Sequence, residues 1–194
     1  MRVMKRMFSL VVLPLVAGCL TSVPPEVATW TIEFTPASAA KPISAAESLS
    51  RGSVRILRVS VRAPYDAKTL TVLRPNGSLA FDPYNQFAAL PAALLKSAVQ
   101  DAFLVHGVSC AAVSFSPLTT DGVAETTVTR LALDCRTPGE RRATVELTVR
   151  LLKEDRAVFA SARGEGSADA ADGNYSRAFS CAFSQAVSAA LAQF

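Results

Sequence analysis

Ala143-Thr144-Val145-Glu146-Leu147-Thr148-Val149-Arg150-Leu151 alternates apolar and polar residues without a break. A period of two puts the apolar side chains on one face of a strand and the polar ones on the other. The stretch is therefore a strand with one buried face, and its flanks extend the pattern. Upstream, Thr126 to Cys135 reads as a strand with Leu131, Leu133 and Cys135 on one face, and Pro138-Gly139 makes the turn between the two. Ser109 to Phe115 reads as the strand before that. Downstream, Glu154-Asp155 turns the chain into a strand over Ala157 to Arg163, and Gly164 to Gly173, polar and containing glycine, reads as a loop.

Two helical patterns bracket this group. Pro91 suits a first helical turn, where an amide hydrogen is not needed. Leu95, Val99 and Phe103 follow at four-residue spacing, and the pattern ends at His106-Gly107. His106 is the only histidine and its expected role is at the helix C-terminus, with Gly107 past the cap. The last helix is expected from about Tyr175 to Phe194. Phe179, Phe183, Val187 and Leu191 form one row, and Ala182, Ala186, Ala190 and Phe194 a neighbouring row small enough to lie close to a sheet. Ser176, Arg177, Ser180, Ser184, Gln185 and Ser188 fill the opposite, polar face.

The strongest turn signal lies earlier. Thr69 to Arg74 and Ser78 to Phe81 flank Asn76-Gly77, the pair a two-residue type I′ turn requires. The hairpin this predicts sets Val72 opposite Phe81 and ends at Asp82-Pro83-Tyr84-Asn85. Before it, Val54 to Arg62 reads as a strand with Leu57, Val59 and Val61 on one face. Trp30-Thr31-Ile32-Glu33-Phe34 reads as a short strand, and the Ala-, Ser- and Pro-rich stretch from Thr35 to Gly52 as a loop.

The amino end carries Arg2, Lys5 and Arg6, then an apolar run from Met7 to Ala17. That run is shorter than the ~20 residues a membrane span needs, and it has the shape of a secretory signal. Leu15-Val16-Ala17-Gly18-Cys19 resembles the lipobox of bacterial lipoproteins, which implies cleavage after residue 18 and a covalent lipid on Cys19. Residues 19–27, with Pro24 and Pro25, then form a tether, and residues 28–194 a single domain. Leu20 is not the aspartate that retains enterobacterial lipoproteins in the inner membrane, so the resemblance implies the periplasmic face of the outer membrane. Removing the signal takes three of twenty basic residues and leaves seventeen against sixteen acidic ones, a near balance that gives no reason to expect nucleic-acid binding.

Catalytic patterns are missing. Gly164-Glu165-Gly166 lacks the lysine and hydroxyl of a phosphate loop. There is no Gly-x-Ser-x-Gly elbow, and a single histidine with no Cys-x-x-Cys pair offers no transition-metal set. Glu165, Asp169 and Asp172 precede a helix, where carboxylates are favoured without any catalytic purpose. The chain is therefore read as not an enzyme, with no cofactor or metal beyond the covalent lipid. With Cys19 lipidated, three thiols remain in an oxidising compartment. Cys110 and Cys135 lie on strands consecutive around the loop Ser116 to Glu125, and if these form a hairpin the two can bridge; Cys181 competes for either partner.

From Val54 onward the chain resembles the auxiliary lipoproteins of bacterial ABC transport systems, which accompany MCE-type (mammalian cell entry) lipid transporters. The resemblance rests on the aromatic strand Trp30 to Phe34, the strand and linker Val54 to Lys68, and Leu79-Ala80-Phe81-Asp82-Pro83-Tyr84-Asn85-Gln86-Phe87. Leu90-Pro91 with its helix and the terminal alanine-rich helix complete it. The family usually has tryptophan where Phe87 stands, and often an acidic residue and proline soon after. The resemblance implies an α+β fold, an α/β sandwich with two main helices on one face of a mostly antiparallel sheet. It also implies a non-enzymatic accessory role in moving lipids or similar apolar molecules, with the MCE-type protein, permease and ATPase as partners and homo-oligomerisation as a further possibility. The alternative is a periplasmic ligand-binding or envelope-assembly scaffold lipoprotein. Docking is expected at the hairpin turn, Asn76 and Gly77, and along Asp82 to Phe87 with Tyr84 exposed; Phe81 and Phe87 are expected to fill the core.

Overall fold

The computed structural model describes residues 25–36, 53–110, 122–153 and 157–194. The signal, Cys19, residues 19–24 of the tether, residues 37–52 and the Glu154-Asp155 turn lie outside them, as does most of the expected Ser109 to Phe115 strand. Eight strands form one mixed sheet: β1 Ala28–Trp30, β2 Ser53–Val61, β3 Thr69–Leu73, β4 Leu79–Phe87, β5 Ser109–Cys110, β6 Gly122–Asp134, β7 Arg142–Leu152 and β8 Val158–Asp169. Among the described residues two helices, α1 Pro91–Val105 and α2 Tyr175–Leu191, complete an α+β fold.

β7 forms as its alternation dictates. Ala143, Val145, Leu147, Val149 and Leu151 are all essentially inaccessible to solvent. It pairs antiparallel with β6 on one side and β8 on the other along nearly its full length. The far side of β6 is shared: its first half pairs parallel with β2 and its last two residues pair parallel with β3. β4 pairs antiparallel with β3, and the short edge strands β1 and β5 pair parallel with β4 and β2. The long ladders outside β2 are thus antiparallel, as expected, and parallel pairings knit the remainder together.

Two strands differ from the alternation read in the sequence because each skips a residue. The β2 register shifts between Ile56 and Arg58, so the inward positions pass from Val54 and Ile56 to Val59 and Val61. β6 begins at Gly122, not Thr126, and shifts between Val128 and Arg130, passing its buried face from Ala124, Thr126 and Val128 to Leu131 and Leu133. A bulge of this kind changes which parity points inward.

α1 buries Leu95, Ala98, Val99, Ala102 and Phe103 against the core. It ends as read: the Gly107 amide donates to Leu104 and the Val108 amide to Phe103, with Gly107 at φ +82°. This is a Schellman closure, and its left-handed residue is the position glycine adopts at least cost. His106 is buried, and its Nε2 lies 3.4 Å from Ser188 Oγ of α2, so it joins the two helices.

α2 starts at Asn174, whose side chain accepts the Arg177 amide at 3.0 Å. Its row of Phe179, Phe183, Val187 and Leu191 is wholly buried, and the alanine row faces β8. Gly164 and Gly166 belong to β8, not to a loop. Glycine serves there because the α2 backbone passes directly above: a Cβ on Gly164 would sit 1.7 Å from the Ala186 carbonyl oxygen, and one on Gly166 1.9 Å from that of Ala182. α2 also covers the free edge of β8. Gln185 Oε1 accepts the Ser167 amide at 3.1 Å and Gln193 Nε2 donates to the Arg163 carbonyl at 2.7 Å. Capping the row of unpaired backbone groups in this way removes a template for edge pairing.

The polar face of α2 is only partly a solvent face. The chain leaves β1 after Trp30 and runs along the helix instead of continuing as a strand. Thr31 O accepts from Ser176 Oγ at 2.8 Å, Ser180 Oγ accepts the Glu33 amide at 3.0 Å, and Ser184 Oγ accepts the Thr35 amide at 2.8 Å. Two extended residues advance ~6.6 Å and four helical residues ~6.0 Å, so every second residue of the strap meets every fourth of the helix. Ile32 is buried beneath it, and Ser180 and Ser184 are buried with it.

Candidate functional site

The hairpin expected to dock partners differs from its sequence reading by one residue. The Gly77 amide donates to Arg74 O and the Arg74 amide to Ser78 O, both at 2.9 Å. The turn is therefore centred on Pro75-Asn76, with Gly77 at φ +79° as the following left-handed residue. This is the three-residue loop with a glycine bulge, not the two-residue type I′ turn. Pro75 supplied the signal, since proline is suited to the second position of a type I turn. Val72 consequently faces Ala80, and Phe81 faces Thr71.

A one-residue slip carries side chains to the other face of a sheet. Leu70 is buried and Val72 packs on the core, so Leu79 and Phe81 point away from it. Phe81 is 54% exposed, which corrects the expectation that it fills the core. Between Asp82 and Gln86 the β4 register advances four residues against one step of β3. The jump returns Phe87 to the core side, where it is buried edge to face on Phe179 with ring centroids 5.5 Å apart.

The jump is held by side chains. Asp82 Oδ1 accepts the Tyr84 amide at 2.9 Å and Asp82 Oδ2 accepts Asn85 Nδ2 at 2.8 Å. Trp30 Nε1 donates to Asn85 Oδ1 at 3.0 Å, and the indole packs edge to face on Tyr175 at the start of α2. Asp82 thus shapes the backbone that presents Tyr84. Tyr84 is 51% exposed, as its place in the turn led us to expect.

One step before the paired residues Ala28 and Asn85, the parallel register sets Val27 beside Tyr84. Val27 is itself exposed. Val27, Leu79, Phe81 and Tyr84 thus form an apolar strip on the outer face of the sheet, opposite the helices. The sequence reading found only Tyr84. The others were missed because neither the hairpin slip nor the jump after Asp82 shows in an alternation pattern. Asn76 and Gly77 lie exposed at the turn, where Asn76 Oδ1 accepts the Ser78 amide at 3.0 Å.

The outer face of β6 to β8 has the opposite character. Glu146 pairs with both Arg130 and Arg163, and Arg163 pairs in turn with Glu165 at 2.9 Å. An open groove of about 290 Å3 nearby is lined by Arg130, Glu146, Glu165, Ser167 and Gln185 among others. Glu165 is thus a strand residue in an ion-pair network. Asp169 and Asp172 accept the amides of Ala171 and Asn174 in the turn before α2. Beyond the end of β6, Arg136 donates to both carboxylate oxygens of Asp134 and holds that carboxyl below its usual range, while burial pushes the Cys135 thiol up.

The expected Cys110–Cys135 bridge is not formed. Cys135 and Cys181 are free thiols. β5 is not a hairpin partner of β6: Cys110 pairs with Val54 of β2, which lies across from Gly122 at the start of β6. Cys135 follows the other end of that strand, roughly 40 Å away at ~3.3 Å per residue, where a disulfide needs Cα atoms within ~7 Å. Among the described residues, no three His, Cys, Asp or Glu side chains gather as a metal cluster, and no helix is long and apolar enough to cross a membrane.

The fold is that of an α+β domain with one helix-covered sheet face, and it is found in solved structures. Protein XCC0632 from Xanthomonas campestris, described as DUF330, is similar with a TM-score of 0.60 at 22% identity, over 86% of this chain and 91% of that one. An uncharacterised protein is similar with a TM-score of 0.51 at 10% identity, over 74% of this chain and 80% of that one. These likenesses concern the fold. No family model matches the sequence, and no curated protein matches it.

Proposed function

We propose that this protein is an outer-membrane-anchored periplasmic lipoprotein, held by a lipid on Cys19. In this reading it serves as a non-enzymatic accessory component of an MCE-type ABC transport system that moves lipids or related apolar molecules across the envelope. The observation that carries the reading is the division of labour in the domain. Its interior is filled by side chains such as Phe103, Phe179 and Phe183, while a hairpin with exposed apolar residues stands beside the point where the tether enters. An exposed apolar surface beside the tether suits contact with the membrane or with a partner chain at it. Partner contact is placed at the hairpin turn, where Asn76, Gly77 and Ser78 are exposed, and along the β4 edge to Asp82; Tyr84 belongs to the apolar strip beside it.

The test is affinity purification of the lipidated full chain from solubilised membranes. An MCE-type protein and its permease and ATPase are expected with it, and Ser78→Arg, at the exposed turn, is expected to lose them without a change in thermal midpoint. Purification free of any such protein, with the chain intact and membrane-bound, refutes the transport role.

A further inference from the structure

We propose that the strip Val27, Leu79, Phe81 and Tyr84 is a lipid-contacting face, seated on the surface of the membrane to which the chain is tethered. This rests on the proposed lipidation of Cys19. Each of the four side chains is more than two-fifths exposed, and the register sets them on the face of β1 and β4 opposite α1 and α2.

Three observations single out a lipid surface as the occupant. The first is position. Val27 is eight residues beyond Cys19, so the strip begins within ~28 Å of the acylated end even with the tether fully extended. The second is charge. The other outward positions on β1, β3 and β4, Thr29, Thr69, Thr71, Leu73 and Gln86, are uncharged, and charge on this face begins one strand farther on, at Asp134 beside Leu73. The same side of the sheet farther along β6 to β8 carries the Arg130, Glu146, Arg163 and Glu165 network. The outer face is thus divided into an uncharged end at the tether and a charged end away from it. Only the first can be laid against acyl chains without desolvating ions. The third is side-chain type. Phe81 supplies a wholly apolar ring, and Tyr84 one with a hydroxyl at its tip, the combination that settles at the boundary between headgroups and hydrocarbon. With two attachments the domain would lie in one orientation on the membrane, its helices facing the periplasm.

The experiment uses the lipidated full chain in vesicles of phosphatidylcholine and phosphatidylglycerol, with and without brominated acyl chains. Tryptophan is introduced as Phe81→Trp and, on the helical side, as Leu104→Trp; both positions are more than half exposed, so neither change disturbs the core. The wild-type chain supplies the Trp30 background. Flotation of protein with vesicles reports the anchor separately from the strip. Expected is flotation of all three chains, a blue-shifted emission for Phe81→Trp that brominated lipid largely removes and high salt leaves unchanged, and no added quenching for Leu104→Trp. Flotation with an unquenched, water-exposed Phe81→Trp overturns the lipid face while leaving the anchor standing. A Phe81→Trp signal that shifts only when an MCE-type protein is added assigns the strip to a protein partner and overturns it too. Equal quenching at both positions overturns the orientation. Failure to float refutes the anchor, and the lipid face falls with it.

Discussion

Replacing Gly166 by alanine sets two physical effects of opposite sign against each other. Glycine in a strand interior is ordinarily a liability of ~0.5–1 kcal/mol relative to alanine, so on local grounds the change should stabilise. The tertiary contact opposes this. The added Cβ would lie 1.9 Å from the Ala182 carbonyl oxygen and 2.8 Å from the Ala186 nitrogen, where real Cβ atoms stay beyond 3.0 Å. Both atoms are helix backbone, so no side-chain rotation gives relief, and α2 must retreat from β8 by about 1 Å in an interior packed as tightly as a crystal. Overpacking of this kind costs ~1–3 kcal/mol, and set against the gain the clash prevails with a net loss of about 1 kcal/mol. In a domain of this size that lowers the thermal midpoint by ~2–4 °C. Urea unfolding followed by fluorescence of Trp30 is the assay, since this only tryptophan packs on Tyr175 in the first turn of α2. The slope against urea should stay unchanged while the midpoint falls. Gly164→Ala should behave alike, and the double variant should cost less than the sum, because one retreat of the helix relieves both contacts. Ala186→Gly should not rescue Gly164→Ala, since the obstruction is a carbonyl and not a methyl. A Gly166→Ala protein as stable as the parent, or more so, refutes the close-approach argument.

Thr126 is buried, and its hydroxyl has no hydrogen-bond partner among the described residues, so Thr126→Val should stabilise by about 1 kcal/mol, measured as a raised thermal midpoint. Ser180→Ala and Ser184→Ala each remove the acceptor of a strap amide and should each cost about 1 kcal/mol, with faster amide exchange at Glu33 and Thr35 respectively. The Asp134 carboxyl is held low by Arg136, so its contribution to stability is present above the unfolded carboxyl's pKa and fades as pH falls through the folded one. Asp134→Asn should therefore lower the melting point at neutral pH and match the parent once acid has protonated Asp134. A thiol reagent should label Cys181 at once and the half-buried Cys135 more slowly in the unreduced protein; a Cys110–Cys135 peptide in a non-reducing digest would contradict the fold.

The sequence spelled out β7, both helices and the two ends of α1, because each rests on local chemistry: an unbroken period of two, rows at four-residue spacing, proline at a first turn, glycine past a last one. What it concealed follows from contacts between distant segments. Phe81 and Phe87 share a parity, yet one is exposed and the other buried, because the jump in β4 is imposed by Asp82, Asn85 and Trp30 acting together. Gly164 and Gly166 look like loop residues until the alanine row of α2 is laid across them. The serines of α2 look solvent-facing until residues 31–35 are seen to bind them. The parallel pairings of β2 with β6 and β3 with β6 leave no local mark at all, and the proposed cysteine bridge failed because it assumed a hairpin in their place. Tyr84 was legible as a surface residue, but the strip it belongs to was not, since Val27 joins it only through a pairing of residues almost sixty positions apart.

The strap along α2 also gives the domain a mechanical direction. Residues 31, 33 and 35 meet Ser176, Ser180 and Ser184 in the same order, so strap and helix run parallel. Once β1 has parted from β4, tension applied from the amino end along the helix axis strains all three contacts at once, in shear. The same tension applied away from the helix strains the Thr31 contact first and then each of the others in turn, as a peel. A chain pulled by its amino end therefore resists a pull along the helix far better than one directed away from it.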